Sequence, residues 1–424
     1  MHLFGSLAIL YAGFTSSYWA HSFLARSLNL DHFGDVMVGM GVAAILASLL
    51  LAGGQAAARK FLPVYLRDRE FALMNGFLAF YCGVSLLAAG LTAGLVFAIT
   101  ELAFPDHRTQ ALFVVTMAPM IAVSTLLGAG LQSIDRPIGA IFPYQIVRPL
   151  LLLVGVLLWI ELAPFEGTRN AFMVYAPAFA LLLVIQFAWY LNALPFAWRR
   201  QQPLLDWASW RAAGLPLLLS GLLNSILIRI DILALHLFDD QPKAVGTFTL
   251  LVLAASLIWV NYNAVSNIIG QRISPLEGDR AALERLLRRS GLVLLVFNAA
   301  TAAILIIFAR PILATIHPEL EVYWLWFAFL CVGATINATL ELASPFVRFG
   351  GLHAQAARLA TPLLGINAAV TTLAVILAGL EGALVSLVAM RFARGLINAR
   401  LLVRDLGLRP WQVSGSAGTA PERG

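Results

Sequence analysis

Four arginines of this chain stand inside long apolar stretches, where an ionised side chain is expensive: Arg148, Arg229, Arg391 and Arg394. A guanidinium at mid-bilayer depth costs about 2.5–3.5 kcal/mol on insertion scales. Such a residue is retained where it lines a hydrated path, pairs with another group or snorkels to the headgroups. Arg391 and Arg394 are three apart, with Asn398 four further on, so all three share one helical face. Arg148 lies between Pro143 and Pro149, each of which removes an intrahelical hydrogen bond and permits a kink. Asp231 follows Arg229 by two positions, which on a continuous helix sends the two side chains to opposite sides. Cations outnumber acids at depth, so a hydrated cavity lined by these groups would attract an anion such as a phosphate or an acidic sugar. For each arginine, snorkelling and cavity lining both stay open.

A second layer is polar and uncharged. Ser17 and His21 stand among Ser16, Tyr18 and Ser22, and Asn224 stands beside Ser220 and Ser225. The stretch Asn261-Tyr262-Asn263 is followed by Ser266-Asn267, with Asn263 and Asn267 stacked at i,i+4. Taken singly, such residues serve interhelical hydrogen bonding; taken together, faces of this kind on three helices favour a hydrated cavity between two halves of the chain. Other chemistry has no support. There is no GxxxxGK[ST] phosphate loop, no HExxH and no Cys/His cluster, and Cys82 and Cys331 both lie in apolar runs. No catalytic residue, metal or cofactor is assigned.

The elements that carry these residues follow from composition. Of the 424 residues, 60% are hydrophobic and 12% charged, about half the charged share of a soluble domain. Apolar stretches recur that are long enough to cross a hydrocarbon core of about 30 Å, and in lipid they must be helices, because each backbone group has to be satisfied within the segment. The expected fold is all-α and integral to the membrane, with about twelve transmembrane helices at roughly 3–26, 33–58, 71–100, 110–134, 138–161, 170–192, 215–238, 245–271, 290–310, 322–346, 356–378 and 382–404. The first stretch lacks a basic leader and is expected to be a retained helix. The net charge of +6 is spread thinly between apolar segments and marks topology, not nucleic acid. Arginines gather in alternate links (Arg59, Arg67 and Arg69; Arg199, Arg200 and Arg211; Arg280, Arg285, Arg288 and Arg289), which sets both termini in the cytoplasm. The opposite links are short.

The chain also resembles itself. At an offset of 212, Gly34 falls on Gly246, Lys60 on Arg272, Pro63 on Pro275, Arg136 on Arg348 and Gly139 on Gly351. One offset running from the second predicted helix to the fifth implies two six-helix lobes. With an even helix count they point the same way, with the substrate path in a central inter-lobe cavity. The expected divisions are an N-terminal lobe over 1–192, a cytoplasmic linker over 193–214 with Trp198, Trp207 and Trp210 in the headgroup region, a C-terminal lobe over 215–404 and a disordered cytoplasmic tail over 405–424.

Three segments carry a family resemblance. Phe23-Leu24-Ala25-Arg26-Ser27-Leu28-Asn29-Leu30-Asp31-His32-Phe33-Gly34 resembles the first loop of Wzx-type polysaccharide flippases. Ala58-Arg59-Lys60-Phe61-Leu62-Pro63 is similar to the end of their second helix, and Leu131-Gln132-Ser133-Ile134-Asp135-Arg136-Pro137 to their link between helices 4 and 5. That family belongs to the multidrug/oligosaccharidyl-lipid/polysaccharide exporter superfamily. The resemblance implies alternating access in a bacterial inner membrane. It also implies a polyprenyl-pyrophosphate-linked oligosaccharide as cargo (an O-antigen, capsule or exopolysaccharide unit), with a glycan polymerase and other assembly proteins as further partners. The alternative on the same scaffold is an ion-driven exporter of drugs or small molecules, for which acids should line the cavity. A membrane glycan polymerase or ligase would need larger outer loops. Lipid II flippases carry arginines in the middle of their first helix, whereas here no charge precedes Arg26 within that stretch. The expected topology is testable with a reporter enzyme active only outside the cytoplasm. It should be active when fused at about residue 166 and silent at about residue 205; the reverse pattern inverts the orientation.

Overall fold

The computed structural model describes residues 2–103, 108–134, 139, 142–162, 167–193, 201–273, 276, 279–349, 353–405 and 407–408. Every regular element among the described residues is helical. In chain order these are α1 (His2–Leu50), α2 (Gly54–Arg67), α3 (Phe71–Ala103), α4 (Arg108–Ser133), a π-helical turn at Pro143–Val147 that runs into α5 (Arg148–Leu162), and α6 (Gly167–Ala193). There follow α7 (Trp207–Leu227), α8 (Ile230–Phe238), α9 (Ala244–Ala255), α10 (Leu257–Ile273), α11 (Arg280–Ile307) and α12 (Ala309–Ile316). A 3-10 turn at Pro318–Tyr323 leads to α13 (Trp324–Glu341), α14 (Ala343–Phe349) and α15 (His353–Asp405).

Surface composition says what surrounds them. Along α3, Leu86, Leu87, Leu91, Leu95 and Leu102 all lie open, Leu91 at 69% and Leu102 at 88%. Such a continuous apolar face is an aggregation site in water and a lipid contact in a bilayer. Among the described residues, eight helical stretches are long and apolar enough to cross a membrane, and two bent pairs, Gly221–Leu227 with Ile230–Phe238 and Ala244–Ala255 with Leu257–Gly270, each supply one more. The longest two, Leu10–Leu50 and Pro362–Asp405, run 41 and 44 residues, roughly twice what a core of about 30 Å requires at about 1.5 Å per residue. Both are interrupted, the first at Asn29 (φ 65°, ψ 163°) and the second at Ala378 and Gly379 (φ 50°, ψ −131°). Divided there, the described residues contain twelve apolar segments, at the places where hydropathy expected them. This is a multi-pass, all-α membrane protein.

The described residues form two compact units. The first comprises Met1–Ala254, Arg310–Trp324 and Asn367–Ser386. Within it α4 packs along α1 and also touches α2, α3 and α6, and Phe33, Phe77, Phe113 and Leu126 are buried at these contacts. Small residues allow the close approach: a Cβ on Gly39 would stand 2.9 Å from the Phe113 ring. Arg26 caps the C-terminus of α12, donating to the carbonyls of Ile316 at 3.1 Å and Ala314 at 3.0 Å, where the exposed carbonyls of a helix end favour a cation. The second unit comprises Ala255–Ala309, Leu325–Ile366 and Leu387–Gly424. Its core joins Ile269, Leu287, Leu294, Phe346, Leu401 and Leu402, and its buried polar contacts are direct: Asn261 of α10 donates through Nδ2 to Asn298 Oδ1 at 3.0 Å and Thr301 Oγ1 at 3.1 Å on α11.

Two expectations are corrected. The second span ends at Leu50, not near residue 58, because Ala52 (φ 46°) and Gly53 (φ 79°) turn left-handed and start the separate helix α2. The segment 193–214, expected to be a linker, is in part the first turns of α7, whose N-cap Asp206 accepts from the Ser209 amide at 3.3 Å. Trp210 leaves the surface altogether: it is fully buried, it stands edge-on to Phe77 with ring centroids 5.5 Å apart, and it donates through Nε1 to Tyr65 Oη at 2.9 Å. Trp207 keeps the exposed position expected of an interfacial residue, and Trp198 lies outside the described residues. At the α2 corner a Cβ on Gly53 would fall 2.1 Å from the Gly214 carbonyl oxygen. Gly53→Val therefore meets both a clash and a left-handed backbone, at a cost of about 2 kcal/mol or more. Its melting temperature in detergent should drop by several degrees, and an unchanged melting curve would show that the corner adapts.

Candidate functional site

The first cationic cluster is assembled on the π-helical turn. Pro149 has no N–H to offer the carbonyl four residues back, so Gln145 loses its regular α-helical donor. The turn widens at this point, and α1 closes on it: a Cβ on Gly13 would lie 2.1 Å from the Gln145 carbonyl oxygen, an approach that only glycine permits. Ser17 and His21 follow Gly13 at i+4 and i+8 and therefore share the face of α1 that meets the turn. His21 Nδ1 is 2.7 Å from the Ser17 carbonyl. A carbonyl only accepts, so Nδ1 carries the proton and Nε2 is left as an acceptor.

Arg148 opens α5 immediately after the turn. Its guanidinium lies over the Tyr144 ring at 4.0 Å, His21 and Tyr175 are electrostatic neighbours, and its buried Nε makes no hydrogen bond among the described residues. Arg229 lies within electrostatic range of the same tyrosine. Its stem crosses α1 at Gly41, with Cδ 3.5 Å from where a Cβ would stand. One of its terminal nitrogens donates to the Ser225 carbonyl at 3.3 Å, and Tyr144 is its electrostatic neighbour. Arg148 and Arg229, 81 residues apart in sequence, thus share Tyr144 as a neighbour, the first stacked on its ring and the second at electrostatic range, and His21 neighbours Arg148. Neither arginine belongs to an ion pair among the described residues.

Arg229 also corrects a premise. Reading Asp231 as opposite to Arg229 assumed a continuous helix, but Arg229 itself is the break (φ −118°, ψ 4°), and the two half-helices meet at 55°. Asp231 is instead buried in the first turn of α8, where the helix N-terminus favours a carboxylate. Neither glycine nor proline marks this break. Asn224 is exposed, and Ser225 rather than Asn224 makes the contact to α1, with its Oγ 2.5 Å from Ser48 Oγ.

The second unit gathers the other two arginines. Arg391 lies over the Trp259 ring at 5.0 Å. Arg394 Nε meets Glu341 Oε2 at 3.3 Å, with the carboxylate side chain 10% exposed and the arginine 53%. Sequence reading overlooked Glu341, although a carboxylate inside the predicted tenth span was the signal for it. Tyr262 of α10 closes the same wall by donating to the Glu341 carbonyl at 3.3 Å. Among the amides expected to line a cavity, Asn263 is exposed, Asn398 half-buried and Asn261 the buried member of its triplet; the Asn267 side chain lies outside the described residues.

No family model matches the chain, and no curated protein matches it. Solved structures do. The MATE multidrug transporter DinF-BH aligns with a TM-score of 0.62 at 14% identity, over 97% of this chain and 96% of that one. Lipid II flippase MurJ in an inward closed conformation gives 0.62 at 12% identity, over 97% and 88%. An inward-facing MATE family transporter of the MOP superfamily gives 0.58 at 14% identity, over 92% of each. The chain has the fold of these transporters. Within this fold, Arg394–Glu341 joins a buried carboxylate to a half-exposed cation. Glu341→Ala and Arg394→Ala should each lower the melting temperature, and the double variant should lose less than the sum. A double-mutant cycle should give a coupling of about 1 kcal/mol, modest because the arginine is half exposed. Strict additivity would show that the pair contributes nothing.

Proposed function

We propose that this chain carries a polyprenyl-pyrophosphate-linked oligosaccharide from the cytoplasmic to the outer leaflet of a bacterial inner membrane by alternating access, with both termini in the cytoplasm. The observation that carries the reading is Arg148 stacked on Tyr144 with Arg229 at electrostatic range of the same tyrosine, two cations at membrane depth with no acid paired to either among the described residues. A diphosphate offers two adjacent anionic groups, and planar guanidinium forks bind such oxygens through paired, charge-assisted hydrogen bonds. Ser17 Oγ and His21 Nε2 supply a donor–acceptor and an acceptor at the same place, as a sugar hydroxyl requires. In the second unit, Arg391 and Arg394 with Asn398 would take acidic or amide-bearing sugars. Hydrolysis is no part of the role: the chain moves its cargo and leaves it chemically unchanged.

The main competing role is that of a multidrug exporter, the description carried by several proteins of this fold. A lipophilic cation would have to approach two guanidinium groups, each repelling it across a medium of low dielectric. An anionic cargo gains from the same charges. Closing the protein around a bound diphosphate also removes part of the desolvation cost of burying both arginines, which is a reason for the loaded carrier to change state more readily than the empty one. Arg148→Ala and Arg229→Ala should each lower surface glycan export at least tenfold and cause lipid-linked oligosaccharide to accumulate inside, with the protein still in the membrane; Arg148→Lys should recover part of the activity. Full export by both alanine variants would reduce these arginines to structural or snorkelling roles.

A further inference from the structure

Outside the site above, the second unit holds a groove of about 480 Å³ between α10 and α11. Its apolar wall is Val265, Ile268, Leu286 and Val293, and its polar end carries Arg285 and Arg289. The two arginines stand at i,i+4 on α11 and project from one face. They are exposed and belong to no ion pair among the described residues; Arg285 Nε reaches only the Ala281 carbonyl of its own helix, at 3.3 Å. Arg280, one turn earlier, is already used, since it donates to the Gly407 carbonyl just beyond α15.

The position along the helix fixes the depth. From Leu292 to Ile307 α11 carries no charge, a rise of about 24 Å that fills most of a hydrocarbon core. Leu292, Val293 and Val296 on that stretch are 62%, 61% and 61% exposed, as lipid-facing residues are. Arg285 and Arg289 therefore lie where headgroups begin, and Val293 lies on the acyl-chain side, with Val265 and Ile268 of α10 lining the same groove. A ligand that fits must have a negative head and an apolar tail with the boundary at the same height.

We infer that this groove is a binding site for an anionic membrane phospholipid, with the phosphate held between Arg285 and Arg289 and an acyl chain lying along Val265, Ile268 and Val293. A zwitterionic lipid brings its own cation to the two guanidinium groups and is disfavoured there. Free phosphate can meet the arginines but leaves the apolar wall uncovered. The site is independent of the cargo pathway proposed above, because it needs neither Arg148 nor Arg229.

The test uses the full-length protein purified in detergent, with bound lipid counted by native mass spectrometry and stability followed by thermal melting. Dioleoylphosphatidylglycerol should bind and raise the melting temperature by several degrees, while dioleoylphosphatidylcholine and inorganic phosphate should not. Arg285→Gln with Arg289→Gln should weaken phosphatidylglycerol binding about tenfold or more. Arg285→Lys with Arg289→Lys, which keeps the charge, should retain most of it, and Val293→Trp, which fills the apolar end, should also lower it. Equal binding by the glutamine variant, or stabilisation by inorganic phosphate alone, would overturn the proposal. If the glutamine variant does not fold, the Val293→Trp result decides: undiminished binding there counts against the groove.

Discussion

Hydrocarbon offers no hydrogen bonds, so every irregular stretch of backbone in a membrane span has to be compensated by protein or by water. That constraint organises this molecule. Among the described residues, two of its irregular stretches coincide with partly buried cations. The π-helical turn at Pro143–Val147 delivers Arg148, and the discontinuity between α7 and α8 is Arg229 itself. A continuous helix would not present either guanidinium in this way. Both breaks pack against α1, which places Gly13 against the Gln145 carbonyl and Gly41 beside the Arg229 stem. The first helix is in this sense the floor on which both breaks rest, and Ser17 and His21 come to the cluster because they share a face with Gly13.

A charge surplus then becomes chemical selectivity. In water two guanidinium groups near one tyrosine would be screened and inconsequential. At low effective dielectric they repel each other and any other cation strongly, and they draw anions. In the second unit the balance differs: Arg394 is held by Glu341 and Arg391 by the face of Trp259. Among the described residues, Arg148 and Arg229 of the first unit belong to no ion pair, whereas in the second unit Arg394 is paired with an acid. This difference is the reason the diphosphate is assigned to Arg148 and Arg229, and the variable sugars to the other pair.

Much of this was legible before any coordinates. Hydropathy located the twelve segments because the ~20-residue length required to span lipid is a strict physical demand. It also isolated the four arginines, since a charge within such a segment is rare by cost. Pro143 and Pro149 announced the distortion of the fifth span. What stayed hidden had no local signature. The break at Arg229 has neither glycine nor proline, and it persists because Gly41 and Ser225 accommodate the arginine from outside the peptide bond. Trp210 reads as an interfacial aromatic from its arginine neighbours, yet tertiary packing with Phe77 and Tyr65 buries it. Glu341 was visible as a residue but not as a partner, because 53 positions separate it from Arg394.

Purified protein in sealed liposomes gives the most direct measure of the central claim. One set of vesicles would carry a fluorescent polyprenyl-diphosphate-linked oligosaccharide and another a lipophilic cationic dye. Leaflet exchange of the glycolipid should run at least tenfold faster than in protein-free vesicles, with Arg148→Ala close to the protein-free rate and no protein-dependent movement of the dye. Protein-dependent transport of the cation, with the glycolipid left at its spontaneous rate, would contradict the assignment of an anionic cargo.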